Sequence, residues 1–135
     1  MQEGLLPLSQ QSGEILNLVA YHEYGLADES NPDECERLGD DLADKYLLIM
    51  HNHGLLAAGR TIAEAFYYLY TLENACKIQV DLMASGATPL LADEESLARL
   101  AQFGAPSQDG PTRQATMLWE AESRLLKTTD TSWMN

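Results

Sequence analysis

The segment 47–86, LLIMHNHGLLAAGRTIAEAFYYLYTLENACKIQVDLMASG, decides the fold of this chain. Residues 46–50 form a compact apolar run that is typical of a buried strand, and residues 55–58 form a second run between two glycines. The tripeptide His51-Asn52-His53 separates the two runs, and Gly54 is expected to be a left-handed turn residue. The segment therefore predicts a strand, a turn and a second strand.

A long helix is predicted directly after the second strand. Residues 61–64, Thr-Ile-Ala-Glu, have the spacing of a capping box, and Gly86 supplies a C-terminal stop. A helix of about 24 residues would be about 36 Å long, which is enough to cross a whole sheet. The fold class predicted from this segment is α/β, with a small sheet around residues 46–58 covered by the long helix.

The buried face of the long helix is predicted from the period of its apolar residues. Phe66 and Leu69 are expected to face the sheet, whereas Tyr68 and Lys77 are expected to face away from it. The complete predicted core face is Ile62, Ala65, Phe66, Leu69, Leu72, Cys76, Val80 and Met83.

Shorter helices are predicted on both sides of this segment. Residues 31–43 begin with Asn-Pro, a typical N-cap and first helical residue, and continue as an acidic helix. Residues 94–103 have a helical pattern, and residues 104–110 are rich in proline, serine and glycine, which indicates a flexible connection. A proline at position 111 opens a last helix that is expected to end near Lys127.

Composition and charge exclude several classes of partner. The chain has 135 residues, 45% of them hydrophobic and 21% charged, which is ordinary for one globular domain. A net charge of -13, from 21 acidic and 8 basic residues, repels nucleic acid and anionic membranes. Neither is expected to be a partner. The acidic stretch from Asp28 to Asp44, where Arg37 is the one basic residue, is interpreted as a solvated helix face.

The expected compartment is the cytoplasm. The first residues contain no basic stretch of the signal-peptide kind, and no apolar run approaches the ~18 residues that a membrane helix needs. Cys35 and Cys76 lie at helical, core-facing spacings and are predicted to be two buried thiols.

Metal chemistry is considered at the three histidines, His22, His51 and His53. A catalytic zinc usually takes three protein ligands and leaves one position open. On a strand, residues 51 and 53 would point the same way, so that a two-histidine fragment of a site is geometrically possible. The sequence contains no Gly-x-Ser-x-Gly elbow, Walker-type loop or dinucleotide fingerprint.

The motifs resemble the class II aldolase/adducin family. The family's strand, loop and helix contain an Asn-His-Gly-Leu sequence, a glycine and then a Glu-Ala helix start, which match residues 52–65 here. Residues 4–10 and the Val-Ala-Tyr-His-Glu-Tyr of residues 19–24 resemble the adducin-type branch, as do residues 66–68 and 75–80. The resemblance implies a partial three-layer α/β/α fold with a small, mainly antiparallel sheet.

By this resemblance, the chain matches about the C-terminal half of the family domain. His53 matches the third metal-binding histidine of the family, His51 stands where relatives vary, and His22 carries no ligand role. The family's phosphate loop, acid/base carboxylate and first His-x-His pair have no counterpart in the sequence. We therefore expect one N-terminally truncated domain over residues 1–135, with a core (1–103) followed by a connection and a C-terminal helix (104–135).

The resemblance leaves two classes of function open. The first is a catalytically incomplete domain used for association, as in the cytoskeletal adducins. The alternative is a zinc-dependent aldolase-type lyase acting on a small hydroxy-carbonyl or sugar-phosphate substrate, with its site completed by another subunit or polypeptide. Family members form cyclic tetramers, so a homo-oligomer or a complementing subunit is the expected partner. Aldolases of the family often donate a tyrosine from a neighbouring subunit, and Tyr24 is not assigned to that role.

Overall fold

The computed structural model describes residues 3–25, 31–106, 112–130 and 132. Its helices and strands form an α/β fold, as the sequence predicts. In chain order they are α1 (Gln10–Ile15), a 3-10 turn (Leu16–Leu18), β1 (Val19–His22), α2 (Glu34–Leu42), β2 (Leu47–Met50), β3 (Gly54–Ala57), α3 (Ile62–Ala84), α4 (Glu94–Gly104) and α5 (Arg113–Thr129).

The three described strands form one sheet in the order β1-β2-β3. β2 and β3 form the expected antiparallel hairpin, in which Leu47 lies opposite Ala57. β1 pairs with β2 in parallel, in a register that places Val19 opposite Leu47. The sheet is therefore mixed, whereas the sequence predicted a mainly antiparallel sheet. The connection between β1 and β2 contains α2 and is long enough for β2 to run in the same direction as β1.

The sheet lies between two helical layers. Leu47 faces the main core, where it packs with Ile15 of α1 and with Tyr68 and Leu72 of α3. Successive strand residues point to opposite faces, so Leu48, which is also fully buried, faces the other side. On that side the side chain of His22 contacts α2. The three-layer arrangement with a long covering helix is thus confirmed.

Both ends of α3 lie where the sequence predicts, although only the Thr61 half of the predicted capping box forms. Thr61 is the N-cap, and its hydroxyl accepts a hydrogen bond from the backbone N–H of Glu64 at 3.2 Å. The Glu64 carboxylate accepts a bond from the backbone N–H of Arg60 at 2.9 Å. At the other end Gly86 has a φ of +70°, a left-handed conformation that glycine adopts without strain.

The predicted buried face of α3 is wrong in part. Tyr68 is buried in the core, whereas Leu69 is exposed, as are Ile62, Val80 and Met83. Phe66 is partly buried, but its ring packs on Trp119 of α5, with ring centroids 5.5 Å apart. Lys77 is exposed, as expected. The apolar period therefore identified the helix but not the side that faces the sheet.

The reason is that α3 buries polar side chains whose hydrogen bonds are satisfied, either within the helix or by a distant segment of the chain. The Thr71 hydroxyl donates to the carbonyl oxygen of Tyr67 at 2.8 Å, which satisfies it within the helix. The Gln79 amide donates to the carbonyl oxygen of Gly4 and accepts from the N–H of Leu6, both at 2.8 Å. A count of apolar residues assigns such positions to solvent, although their hydrogen bonds offset the cost of burial.

Two predictions at the start of α2 are corrected. Asn31 was predicted to be the N-cap, but the helix begins at Glu34 after Asp33, whose side chain makes no capping bond. The Asn31 side-chain amide donates to the Glu34 carboxylate at 3.2 Å. Cys35 is exposed rather than buried, because the side chain that this first turn of α2 buries is that of the neighbouring Glu34. Cys76 is half-buried, and burial raises the pKa of its thiol.

The C-terminal helices agree with the predicted elements. α4 follows the predicted range closely, and α5 begins at Arg113, where the Thr112 hydroxyl accepts from the N–H of Ala115. The predicted helix-opening Pro111 and most of the predicted connection, residues 107–110, lie outside the described residues. No helix in the described ranges is long and apolar enough to cross a membrane.

Candidate functional site

The β2–β3 turn contains His51 and His53, the two histidines that the sequence predicts as candidate metal ligands. The N–H of His53 donates to the carbonyl oxygen of Met50 at 3.2 Å, which closes the turn. Asn52 has a φ of +57°, so it is the left-handed residue that was expected at Gly54, and Gly54 itself begins β3. His51 and His53 are therefore exposed turn residues, and the alternation of a strand does not align them.

Each histidine has a different aromatic neighbour. The His53 imidazole stacks on the Tyr24 ring, with centroids 3.7 Å apart and planes 19° from parallel. The His51 ring lies 6.4 Å from that of Tyr21, at 43°. In the described part of the chain, neither ring nitrogen of His53 has a hydrogen-bond partner. Stacking thus fixes one face of this imidazole and leaves its nitrogen-bearing edge accessible.

The described residues do not by themselves fit a zinc ion. Within these ranges, no group of three or more His, Cys, Asp or Glu side chains is arranged so that it could hold a metal ion. A catalytic zinc site needs three protein ligands, and His53 and His51 do not converge with a third. Any metal at His53 would need donors from outside the described part of this chain.

His22, to which the sequence assigned no role, is the buried centre of an ionic cluster. Its Nε2 lies 2.8 Å from a carboxylate oxygen of Glu34, and its Nδ1 lies 2.7 Å from one of Asp41. The hydrogen bond to Glu34 and then that to Asp41 raise the pKa of His22 above its ordinary value. An imidazole that faces a carboxylate at each nitrogen donates from both, so it is held as the imidazolium.

Glu34 is the most connected member of this cluster. Besides His22, it accepts from the N–H of Gly25 at 2.7 Å and from the Arg37 guanidinium at 2.9 Å. The hydrogen bond to His22 is the main cause that lowers the pKa of Glu34. The interpretation of the acidic stretch as a solvated face is therefore wrong for Glu34, which is 1% exposed.

A pattern in the sequence could have indicated this cluster. Glu34 and Asp41 are seven residues apart, which places them on the same face of a helix two turns apart. The missing information was that His22, 12 residues before Glu34, ends a strand beside that face. Because both of its nitrogens are used by carboxylates, His22 is a structural cation and has no free nitrogen for a metal.

A half-open cavity of about 300 Å³ lies near His51, at the side of the sheet that faces α3. Its walls are mostly apolar, and the Tyr21 hydroxyl at its rim accepts from the N–H of Leu5 at 2.8 Å. The remaining lining residues are Gly4, Ile49, Met50, Asn52 and Cys76. Its volume is at the lower end of the range for small-molecule sites.

Comparison with known proteins identifies the family. Residues 1–80 match the family model described as the Class II Aldolase and Adducin N-terminal domain. A Pseudomonas aeruginosa protein named for the class 2 aldolases is 46% identical over 87 residues, which are 64% of this chain and 33% of that protein. Alpha-adducin of Rattus norvegicus is 38% identical over 117 residues, which are 82% of this chain and 15% of the adducin.

Solved structures agree with the sequence relatives. An aldolase II superfamily protein from Pseudomonas syringae has a TM-score of 0.85 and 34% identity, and the match covers 100% of this chain and 53% of that one. The L-fuculose 1-phosphate aldolase from Glaciozyma antarctica PI12 has a TM-score of 0.72 and 27% identity, covering 92% of this chain and 45% of the enzyme. The chain thus spans about a third of the length of the bacterial relative matched by sequence and about half of the solved structures. With its motifs, its fold and more than half of its residues matched, the chain belongs to the class II aldolase/adducin family.

Proposed function

We propose that this chain is an association module of the adducin type that is catalytically incomplete by itself. The observation that carries this proposal is the number of large apolar side chains that α3 and α5 expose. They are Leu69, Tyr70, Val80, Met83, Met117, Trp119, Leu125 and Leu126. Helices that are apolar on more than their core-facing side usually pack against another element or partner.

The family members that the chain matches support this assignment. Rat alpha-adducin aligns with 82% of the chain, so most of this fold has a counterpart in a protein named as an adducin. The proposal treats residues 1–135 as one domain, with a core over residues 1–103 and a connection and C-terminal helix over residues 104–135. It includes a cytoplasmic location and a homo-oligomer or complementing subunit as the partner.

The association part of the proposal is tested by measuring mass in solution. Light scattering at micromolar concentration should give a species heavier than the 14.9 kDa of one chain. Replacing Leu69 and Val80 with serine should shift the mass towards the monomer, because both side chains are exposed in the single chain. Lys77→Ser is the matched control on the same helix. A monodisperse 14.9 kDa species of the unaltered chain would contradict the proposal.

A second candidate function is a share in a metal-dependent aldehyde-lyase site. It is favoured by the exposed imidazole of His53, which is held on one face by Tyr24. It also draws on the 27% identity to a protein named as L-fuculose 1-phosphate aldolase. In this proposal His53 supplies one zinc ligand, with a lesser contribution from His51, and another subunit or polypeptide supplies the others.

Elemental analysis separates the two candidates. After dialysis against a weak chelator, the chain alone should hold well under one zinc per subunit and should cleave no sugar phosphate, because each missing ligand leaves a position to water. Adding a polypeptide with the N-terminal half of the family domain should restore zinc only if the site is shared. A stoichiometric zinc on the chain alone that is lost in His53→Ala would overturn the incomplete-site proposal.

A further inference from the structure

Tyr24 lies between two residues that are held by one carboxylate oxygen. Oε1 of Glu34 is 2.8 Å from Nε2 of His22, two residues before Tyr24. The same oxygen accepts from the N–H of Gly25, the residue after Tyr24, at 2.7 Å. Glu34 is therefore bound to the chain on both sides of the tyrosine.

The other contacts of α2 reinforce this attachment. Arg37 donates from one guanidinium nitrogen to Glu34 at 2.9 Å and from another to the carbonyl oxygen of Glu23 at 3.3 Å. A Cβ at Gly25 would lie 2.8 Å from the Asn31 side-chain nitrogen and 3.0 Å from a Glu34 carboxylate oxygen, so a larger residue there would displace these side chains. Residues on both sides of Tyr24 are thus fixed to one helix.

The path continues from Tyr24 to the exposed turn. The backbone N–H of His51 donates to the carbonyl oxygen of His22 at 2.9 Å, which joins the turn to the end of β1. The Tyr24 ring meets the His22 ring edge-on at 6.3 Å and stacks on the His53 ring at 3.7 Å. Continuous contacts therefore link a buried carboxylate to an imidazole whose nitrogen-bearing edge is exposed.

We infer that Glu34 and His22 are positioning residues that hold the Tyr24 ring against His53 and so set the direction in which this imidazole is presented. A short exposed turn does not by itself restrict a histidine rotamer, because solvent-exposed side chains exchange rapidly. The ionic cluster fixes the backbone on both sides of Tyr24 and holds the His22 ring against the Tyr24 ring, and the stack in turn restricts His53. A role of this imidazole as a metal ligand rests on the second candidate function, but the inference about its orientation does not.

Proton NMR of the full chain tests this inference without a metal. A stacked tyrosine displaces the resonances of the His53 ring protons, and Tyr24→Leu gives their unstacked positions. Glu34→Gln should move these resonances towards the Tyr24→Leu values. The matched control is Glu64→Gln, which alters another carboxylate that is 1% exposed but whose partner is Arg60 at the start of α3. It should leave the His53 resonances in place.

A second variant covers the case in which Glu34→Gln does not fold. Arg37 is exposed, so Arg37→Met should fold, and its loss of the bonds to Glu34 and Glu23 should give a smaller movement in the same direction. The inference is overturned if Tyr24→Leu leaves the His53 resonances unmoved. It is also overturned if Arg37→Met and any folded Glu34→Gln keep the unaltered positions. Because zinc is not added, a negative metal result leaves this test unaffected.

Discussion

Truncation of two leucines one turn apart on α3 would show which side of this helix is buried. Leu72 is 0% exposed and belongs to the main core, whereas Leu69 is 40% exposed. The apolar period assigns both to the same buried face, but the structure does not. Leu72→Ala and Leu69→Ala remove the same atoms from the same helix, so each variant is the control for the other.

The expected magnitudes follow from the burial of each side chain. The three carbons lost from a fully buried leucine contribute about 2.4 kcal/mol of transfer free energy, at ~0.8 kcal/mol per CH₂. The cavity left at Leu72 adds to this, for a total loss of about 3 to 4 kcal/mol. At Leu69 only about six tenths of the side chain is covered, no closed cavity forms, and alanine favours the helix, so the loss is about 1 kcal/mol.

Urea unfolding measures the difference. With a slope of about 2 kcal/mol per molar urea, the midpoint should fall by about 1.5 to 2 M in Leu72→Ala and by about 0.5 M in Leu69→Ala. Each curve should be recorded at two protein concentrations, since an oligomer that buries Leu69 would make its midpoint concentration-dependent. Equal, concentration-independent losses in the two variants would refute the reasoning.

Two further perturbations test the α2 cluster and the contact between α1 and α4. A raised His22 pKa stabilises the fold below the ordinary histidine value of 6.5, and this contribution is lost as pH rises through the raised pKa. A lowered Glu34 pKa stabilises above the ordinary 4.5, and that contribution is lost as pH falls through the lowered pKa. The urea midpoint should therefore be highest between pH 4.5 and pH 6.5. Glu34→Gln should make the urea midpoint depend less on pH. An unchanged pH profile in this variant would contradict the ionic cluster. Gly104→Ala should lower the thermal midpoint, because its Cβ would lie 1.7 Å from the carbonyl oxygen of Glu14. Gly39→Ala is the control: its Cβ would meet nothing within 4 Å, and alanine favours the helix, so the midpoint should rise. Equal shifts in the two variants would exclude the close packing of α1 on α4.

The candidate site was predicted in part. The His-Asn-His turn was recognised from its sequence, and the structure places it between β2 and β3. The positive φ was expected at Gly54 but occurs two residues earlier, at Asn52, because the turn closes between Met50 and His53. The stack of His53 on Tyr24 joins residues 29 positions apart, and no local pattern encodes that contact.

The sequence by itself determined the β2–turn–β3–α3 segment, the family and the ends of the long helix. Those features depend on neighbouring residues, such as the cap from Thr61 to Glu64 and the stop at Gly86. Tertiary structure alone decided the parallel pairing of β1, the buried side of α3 and the burial of Glu34 with His22. Each of these depends on partners far apart in the chain, as Gln79 and Gly4 are, because a polar side chain is buried only where such a partner compensates the loss of water.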